Sequence, residues 1–331
     1  MDPSPPASCA LASFTVVTEE QLSSLVGSSR IKSCALDPVP AHGRKECPSV
    51  LLPAMTKIVN LSIKSALVPN CFKLAVLNPL LKKPCLDFEI YANFTHISNL
   101  TFISKLTEKV VASQLVDYVM RNYLDETFQS AYKQLHSTET ALVRVNYDIL
   151  VASDNDQSVI LLLLDLSAAF DTVGHGILLE RLSHPFGICG LPLSWFKSYL
   201  SNRFQFVEIR GEKSSHQPLT CEVPQGSVLG PILYLLYTSP LGDIARQYNM
   251  GSHCYAADTQ LYLSFDSLCG EGQASAVHSI DASGSSINEW MKLNKLKLNS
   301  DKSELLVISS ALVLHLIISP LGSGCKVIGF S

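Results

Sequence analysis

The chain lacks the cysteine pairs that mark a zinc ribbon or a zinc knuckle. None of its 10 cysteines form a C-x-x-C spacing, which argues against a structural zinc site of that kind. It also lacks a basic residue before Arg30, whereas a secretory signal peptide begins with basic and then apolar residues. These two absences predict reduced cysteines and an intracellular protein, nuclear or cytoplasmic and not secreted.

Long apolar runs and an excess of positive charge are missing as well. The run 311–318 is interrupted by His315 and is shorter than the roughly 20 residues that a membrane-spanning helix needs. We therefore expect no membrane partner. The formal net charge is −4, which argues against strong stand-alone binding of nucleic acid.

The residues that are present predict a folded protein with one locally basic segment. Hydrophobic residues make up 47% of the chain and charged residues 16%, the composition of a protein that buries a core. Between positions 57 and 83 there is no acidic residue, and the lysines there are Lys57, Lys64, Lys73, Lys82 and Lys83. This cluster is either a solvated face or a contact surface for phosphates.

Apolar periodicity predicts mixed secondary structure. Helical spacing favours helices over 104–124 and 138–150, and a helix that begins within 286–298. Strands are predicted over 75–81, 204–209 and 304–308, and the regular pattern ends near Ile308. Helices with an antiparallel sheet indicate the α+β class.

Three segments, in a fixed order, carry the most specific pattern. The apolar run 159–164 ends on Asp165, and Phe170 follows five residues later. Residues 223–231 read Val-Pro-Gln-Gly-Ser-Val-Leu-Gly-Pro, and residues 253–263 read as a β-hairpin around Tyr-Ala-Ala-Asp. An aspartate at a strand end is usually a cap or turn residue, and Pro-Gln-Gly alone is a turn. Together, the three segments resemble the palm of a reverse transcriptase of the non-LTR (LINE-type) retrotransposon class.

The resemblance covers roughly residues 20–310 and implies a right-hand polymerase fold. We expect α+β fingers and palm, with an antiparallel palm sheet, helices on one face of it, and the thumb missing. The predicted organisation is a flexible lead-in over 1–20, a helical N-terminal extension over 21–62, a reverse transcriptase domain over 63–310 and a divergent tail over 311–331. Within the domain, the fingers are expected over about 63–155 and the palm over about 156–310.

The resemblance also implies an RNA-directed DNA polymerase that uses Mg²⁺, with an RNA template and a DNA primer as partners. Such chemistry needs hard carboxylate oxygens that converge from different strands onto two metal ions. Asp165 and Asp258 match the family's metal ligands and catalytic acids, and Lys302 matches a catalytic lysine near the leaving pyrophosphate. The matching nucleotide-binding residues are Phe170, Gln225, Gly226, Lys82 and Lys83. Most phenylalanines in the position of Phe170 are core residues, and a lysine at a turn, such as Lys302, is as often a plain surface residue.

Two departures from the family pattern fall where the chemistry needs a charge. Ala257 replaces the first aspartate of the Tyr-Ala-Asp-Asp turn, so one metal-ligand position is lost. Thr95 stands where the family has an arginine that clamps the triphosphate. The sequence therefore predicts an inactive copy of the polymerase, a pseudoenzyme. The alternative is a non-catalytic remnant that binds nucleic acid or protein.

Overall fold

The structure is a computed structural model that describes residues 10–29, 34–40, 43, 47–167, 169–267, 269–299, 301–309 and 325–329. The chain divides into two compact units. The first unit comprises residues 1–124 and 173–236, and the second comprises residues 125–172 and 237–331. The two units therefore interleave along the chain.

The helices, in chain order, are α1 (Glu19–Gly27), α2 (Pro48–Ser65), α3 (Phe102–Arg121), α4 (Thr138–Asp154), α5 (His175–Ser183), α6 (Gly190–Leu200), α7 (Leu229–Thr238), α8 (Pro240–Gln247) and α9 (Gly270–Leu293). The strands are β1 (Leu74–Leu81), β2 (Phe94–Asn99), β3 (Ser158–Leu164), β4 (Leu166–Ser167), β5 (Arg203–Ile209), β6 (Glu212–Lys213), β7 (Gln217–Leu219), β8 (Gly251–Tyr255), β9 (Asp258–Phe265), β10 (Lys297–Leu298), β11 (Glu304–Ser309) and β12 (Cys325–Gly329). Most of the predicted elements are present, with ends shifted by a few residues.

The first unit is built around a mixed sheet and an aromatic core. The sheet has the order β2-β1-β5-β6, and β7 also pairs with β5. Aromatic side chains of α6 form the centre of the core: Trp195 stacks on Tyr199 at a ring distance of 5.4 Å. The Trp195 indole donates a hydrogen bond of 3.0 Å to Ser62 Oγ, which satisfies its only polar atom.

The lead-in of the first unit differs from the prediction of a flexible segment over 1–20. Leu11 N donates to Gly187 O at 3.1 Å, and Cys189 N donates to Leu11 O at 3.0 Å. The Phe14 ring packs edge-on against Trp195. Residues 10–20 are therefore anchored, because apolar side chains among them reach the core; residues 1–9 lie outside the described residues.

The second unit contains a five-stranded sheet of order β12-β11-β3-β9-β8. β3 lies in the middle and is buried at all but one position, which explains why its sequence is apolar throughout. β3 pairs antiparallel with both β9 and β11. Helix α4 contacts β3 and β8, and helix α9 contacts β9. β8 and β9 form the predicted hairpin, with Ala256 and Ala257 at its turn.

The helix predicted at the start of 286–298 is present, but it begins earlier in the chain than predicted. Helix α9 begins at Gly270 and ends at Leu293, and Lys297–Leu298 then pairs as a strand with β4. Glycine and serine have low helix propensity, and their abundance in α9 hid its first half. Tertiary packing outweighs this low propensity and stabilises the helix. Its buried residues recur at helical spacing, namely Ala276, Ile280, Ser283, Gly284, Ile287 and Met291.

The tail also differs from the prediction that regular structure ends near Ile308. β12 pairs with β11, and this pair is parallel, so the predicted antiparallel sheet has one parallel edge. β12 forms because the edge of β11 offers it backbone hydrogen-bonding partners. The sequence did not predict β12, because a strand of five residues is too short to give a clear periodic signal. Residues 310–324 and 330–331 of the predicted divergent tail lie outside the described residues.

Candidate active site

The second unit brings the two predicted acids together at one end of its sheet. Leu164 at the end of β3 pairs with Thr259 of β9. Asp165 follows Leu164 and Asp258 precedes Thr259, so the two acids occupy the next position of the antiparallel register. Directly opposed residues point to the same face of a sheet. The prediction that Asp165 and Asp258 are neighbours is consistent with this register.

The electrostatics of Asp258 agree with this placement. Partial burial raises the pKa of the Asp258 carboxyl, and the like charge of Asp165 raises it further. Lys302 acts in the opposite direction and lowers the pKa of the same carboxyl. Two neighbouring carboxylates are suited to share a cation, because the cation relieves the repulsion between their like charges.

Asp165 is oriented by the loop that follows β10. Asn299 Nδ2 donates to Asp165 Oδ2 at 3.0 Å, and Asn299 N donates to the Asp165 carbonyl at 2.9 Å. Lys302 Nζ lies 3.5 Å from Asp165 Oδ2, and 71% of the Lys302 side chain is exposed. The ion pair is therefore weak, while the asparagine fixes both the backbone and the carboxylate. This role of Asn299 is absent from the predicted site residues.

Ala257 lies at the turn between β8 and β9, directly before Asp258. Its methyl group offers no ligand atom, so the hairpin contributes one carboxylate instead of two. The side chains of Asp165 and Asp258 are hard oxygen donors and fit Mg²⁺, which is commonly held by one or two carboxylates together with substrate phosphates. The residues present thus fit one metal ion and lack a ligand for a full two-metal site.

In the first unit, Gly226 is required by local packing. Its φ is +113°, and an added Cβ would lie 2.8 Å from Ser98 O and 3.1 Å from Ile97 Cγ2. The Gln225 carbonyl accepts a 2.7 Å hydrogen bond from Ser98 N, so the Pro-Gln-Gly turn is docked onto β2. A glycine at this position is explained by contact with β2, and its predicted contact with a nucleotide stays a prediction.

Glu108 binds the backbone directly after this turn, and it is absent from the predicted site residues. Its carboxylate accepts hydrogen bonds from Val228 N at 2.7 Å and Leu229 N at 3.2 Å, where α7 begins. Burial raises the pKa of Glu108, whereas Arg203 and the two backbone N–H groups lower it. In the sequence, the position of Glu108 between the apolar Leu106 and Val110 of a helix is a signal of such a role.

The remaining predicted residues are placed as follows. Lys82 and Lys83 follow β1 and are exposed, and Lys82 Nζ donates to Ala92 O at 2.9 Å. Phe170 is half-buried in the turn after β4, in the second unit. Of the basic cluster, Lys73 is only 4% exposed, and burial and Arg203 lower its pKa. Lys73 is therefore not the surface charge that its sequence context indicated.

Comparisons with known proteins come from sequence and from structure. The family described as reverse transcriptase (RNA-dependent DNA polymerase) matches residues 82–330, which includes the tail that was expected to be unlike it. A probable RNA-directed DNA polymerase from transposon BS of Drosophila melanogaster is 28% identical over 281 residues, which are 82% of this chain and 30% of the relative. The corresponding protein of transposon X-element is 28% identical over 284 residues, 84% of this chain and 30% of the relative.

The RNA-directed DNA polymerase of the mobile element jockey, also from Drosophila melanogaster, is 25% identical over 300 residues, 87% of this chain and 31% of the relative. The chain thus spans about 30% of the length of the curated relatives it matches. A solved structure of apo telomerase from Candida tropicalis, truncated from the C-terminal domain, superposes with a TM-score of 0.50 and 14% identity. It covers 76% of this chain and 54% of that chain, and it supports the fold alone.

Among the described residues, no helix combines the length and apolar composition needed to cross a membrane.

Proposed function

The chain belongs to the reverse transcriptase (RNA-dependent DNA polymerase) family, as its motifs predicted, and from this premise we propose that it is a LINE-type polymerase domain whose nucleotidyl transfer is largely lost. An RNA template and a DNA primer are its proposed partners. The observation that carries the proposal is the hairpin turn, where Ala257 stands beside an otherwise supported pair of acids, Asp165 and Asp258.

The proposed roles follow from the contacts of each residue. Bound Mg²⁺ would activate the attacking 3′ oxygen and neutralise phosphate charge. Asp165 and Asp258 would bind the ion, and Asn299 holds the Asp165 carboxylate in one orientation through its 3.0 Å hydrogen bond. The exposed Lys302 can reach an anionic leaving group, because its weak pairing with Asp165 leaves the ammonium accessible.

The nucleotide-binding residues of this proposal are Lys82, Lys83, Gln225, Gly226 and Phe170. Exposure of the two lysines leaves their charges available to phosphates. Thr95 lies in β2, paired with Leu80, and carries no charge with which to hold a triphosphate. We therefore expect weaker nucleotide binding in addition to the loss at position 257.

The size of the catalytic defect can be bounded. If a missing metal ligand removes about 3–5 kcal/mol of transition-state stabilisation, the rate falls by roughly 10²–10⁴, at about 1.36 kcal/mol per tenfold. Residual activity should depend on the remaining acids. The proposal thus describes an impaired polymerase site and not the absence of one.

Primer extension on an RNA template with Mg²⁺ tests the proposal. We expect the natural chain to give a trace of product at most, Ala257→Asp to raise incorporation by about 100-fold or more, and Asp165→Asn to abolish the gain. Adding Thr95→Arg to Ala257→Asp should raise it further by improving nucleotide binding. Robust incorporation by the natural chain that is lost in Asp165→Asn would contradict the impaired site.

The second candidate is a non-catalytic module that binds nucleic acid or protein. The same alanine favours it, because a chain that no longer needs transfer chemistry can lose the ligand without further consequence. It differs from the first candidate in one measurable way: Ala257→Asp would then restore no incorporation, even with Thr95→Arg, while binding of an RNA–DNA hybrid would persist.

A further inference from the structure

Gln129 lies in the loop before α4, within the second unit, and is 5% exposed. This loop is joined to β8 by two backbone hydrogen bonds: Cys254 N donates to Phe128 O at 2.8 Å, and Ser130 N donates to Cys254 O at 2.9 Å. These bonds form an isolated parallel bridge between Gln129 and Cys254. The loop is therefore an additional short strand along β8, on the edge opposite β9.

The side chain of Gln129 extends this pairing to the turn. Ala256 N donates to Gln129 Oε1 at 2.9 Å, and Gln129 Nε2 donates to Ala256 O at 3.2 Å. The amide thus satisfies both backbone groups of Ala256, as a neighbouring peptide would. Gln129 Oε1 also accepts from Ala131 N at 3.0 Å, which fixes the side-chain rotamer.

Ala256 needs such support because its φ is +57°, in the left-handed region that L residues rarely adopt. A residue in that region persists only where its surroundings hold it there. Its conformation sets the direction of the chain through Ala257 and into Asp258. Carboxylates that bind a metal must be held within fractions of an ångström, so the conformation of this turn matters for the site.

We infer that Gln129 is the positioning residue of the metal-binding hairpin: its amide clamps Ala256 and thereby sets where the side chains of residues 257 and 258 point. This inference rests on the proposed function, because it presupposes that the hairpin turn contributes ligands to a metal ion. The Gln129 amide forms its hydrogen bonds with backbone atoms of Ala256 and Ala131, and it acts on the hairpin from 127 positions away in the sequence.

The test compares two variants in the Ala257→Asp background. Gln129→Met keeps the side-chain volume and removes all three amide hydrogen bonds. Ser130→Ala is the matched control: it lies in the same loop and loses a 2.9 Å hydrogen bond to His253 Nε2, which belongs to β8 and not to the turn. Mn²⁺ alone is the probe, titrated by electron paramagnetic resonance, and amide exchange of Ala256 is measured by NMR.

We expect Gln129→Met to weaken Mn²⁺ binding by about tenfold or more, as loss of an outer-shell partner does, and to speed exchange of the Ala256 amide. Ser130→Ala should leave the Mn²⁺ affinity and the exchange of the Ala256 amide unchanged, even if it lowers the thermal stability as much as Gln129→Met does. Equal Mn²⁺ affinity in Gln129→Met and its parent would overturn the inference. If the Ala257→Asp parent binds no Mn²⁺, the proposed metal site is wrong, and exchange at Ala256 still decides whether Gln129 holds the turn: unchanged exchange in Gln129→Met overturns the clamp as well.

Discussion

At the scale of single residues, the resemblance implies a carboxylate at position 257, where this chain has the methyl group of Ala257. The neighbouring acids have polar partners: Asp165 accepts a hydrogen bond from Asn299, and Lys302 lowers the pKa of Asp258. The acids themselves were predictable, because each ends an apolar strand or a hairpin turn. Asn299 and Gln129 were not predicted as site residues, because each acts through contacts more than 120 positions away.

Substitution of Lys302 should change the titration of Asp258. Lys302 favours the charged carboxylate, so Lys302→Ala should raise the pKa of Asp258 further above the value of about 3.9 that an isolated aspartate has. Carboxyl ¹³C chemical shifts followed against pH measure this directly. Lys297→Ala, a loss of the same charge on the exposed β10, should have little effect. A lowered or unchanged pKa in Lys302→Ala would show that the lysine does not act on this site.

At the scale of elements, the sequence predicted those with strong apolar periodicity or a continuous apolar run, namely α3, α4, β3, β11 and the hairpin of β8 and β9. It failed for α9, where serine and glycine hide a buried face, and for β12, which depends on an edge supplied by β11. Periodicity reports which side of an element is buried, whereas it carries no information on the partner strand or on polar contacts between distant elements.

Glu108 gives a test of such a contact. Glu108→Ala leaves the N–H groups of Val228 and Leu229 buried without this acceptor, and we expect a loss of about 2–5 kcal/mol in unfolding free energy. Glu108→Gln keeps an acceptor oxygen of similar shape and should lose less. Urea denaturation measures both, and the exposed Glu180→Ala on α5 should stay within about 0.5 kcal/mol. Equal stability of Glu108→Ala and the natural chain would contradict the role of this glutamate.

At the scale of the whole molecule, the proposed binding of nucleic acid by a chain of net charge −4 requires local positive charge. The first unit offers exposed lysines for this, namely Lys57, Lys64, Lys82 and Lys83, whereas Lys73 is buried. The composition predicted the overall acidity and the cluster. Only the structure separates the accessible lysines from the buried one, because burial depends on how β1 packs.

Binding of an RNA–DNA hybrid should therefore be weak and strongly salt-dependent. Each phosphate contact contributes about 0.9 to the slope of log affinity against log salt, or somewhat less for single strands. Lys82→Ala with Lys83→Ala should reduce the slope by nearly 2. The control is Arg121→Ala with Lys197→Ala, which removes the same charge from exposed positions outside the cluster. A slope that is equal in the two double variants would rule out Lys82 and Lys83 as phosphate contacts.

We propose that Asp165 and Asp258 form a metal site that lacks a ligand at position 257. Anomalous diffraction from crystals soaked in Mn²⁺ tests it most directly, on the natural chain and on Ala257→Asp. We expect a manganese peak within about 2.0–2.6 Å of carboxylate oxygens of both acids, with higher occupancy in Ala257→Asp. Absence of a peak between the two acids in the Ala257→Asp crystals would contradict it.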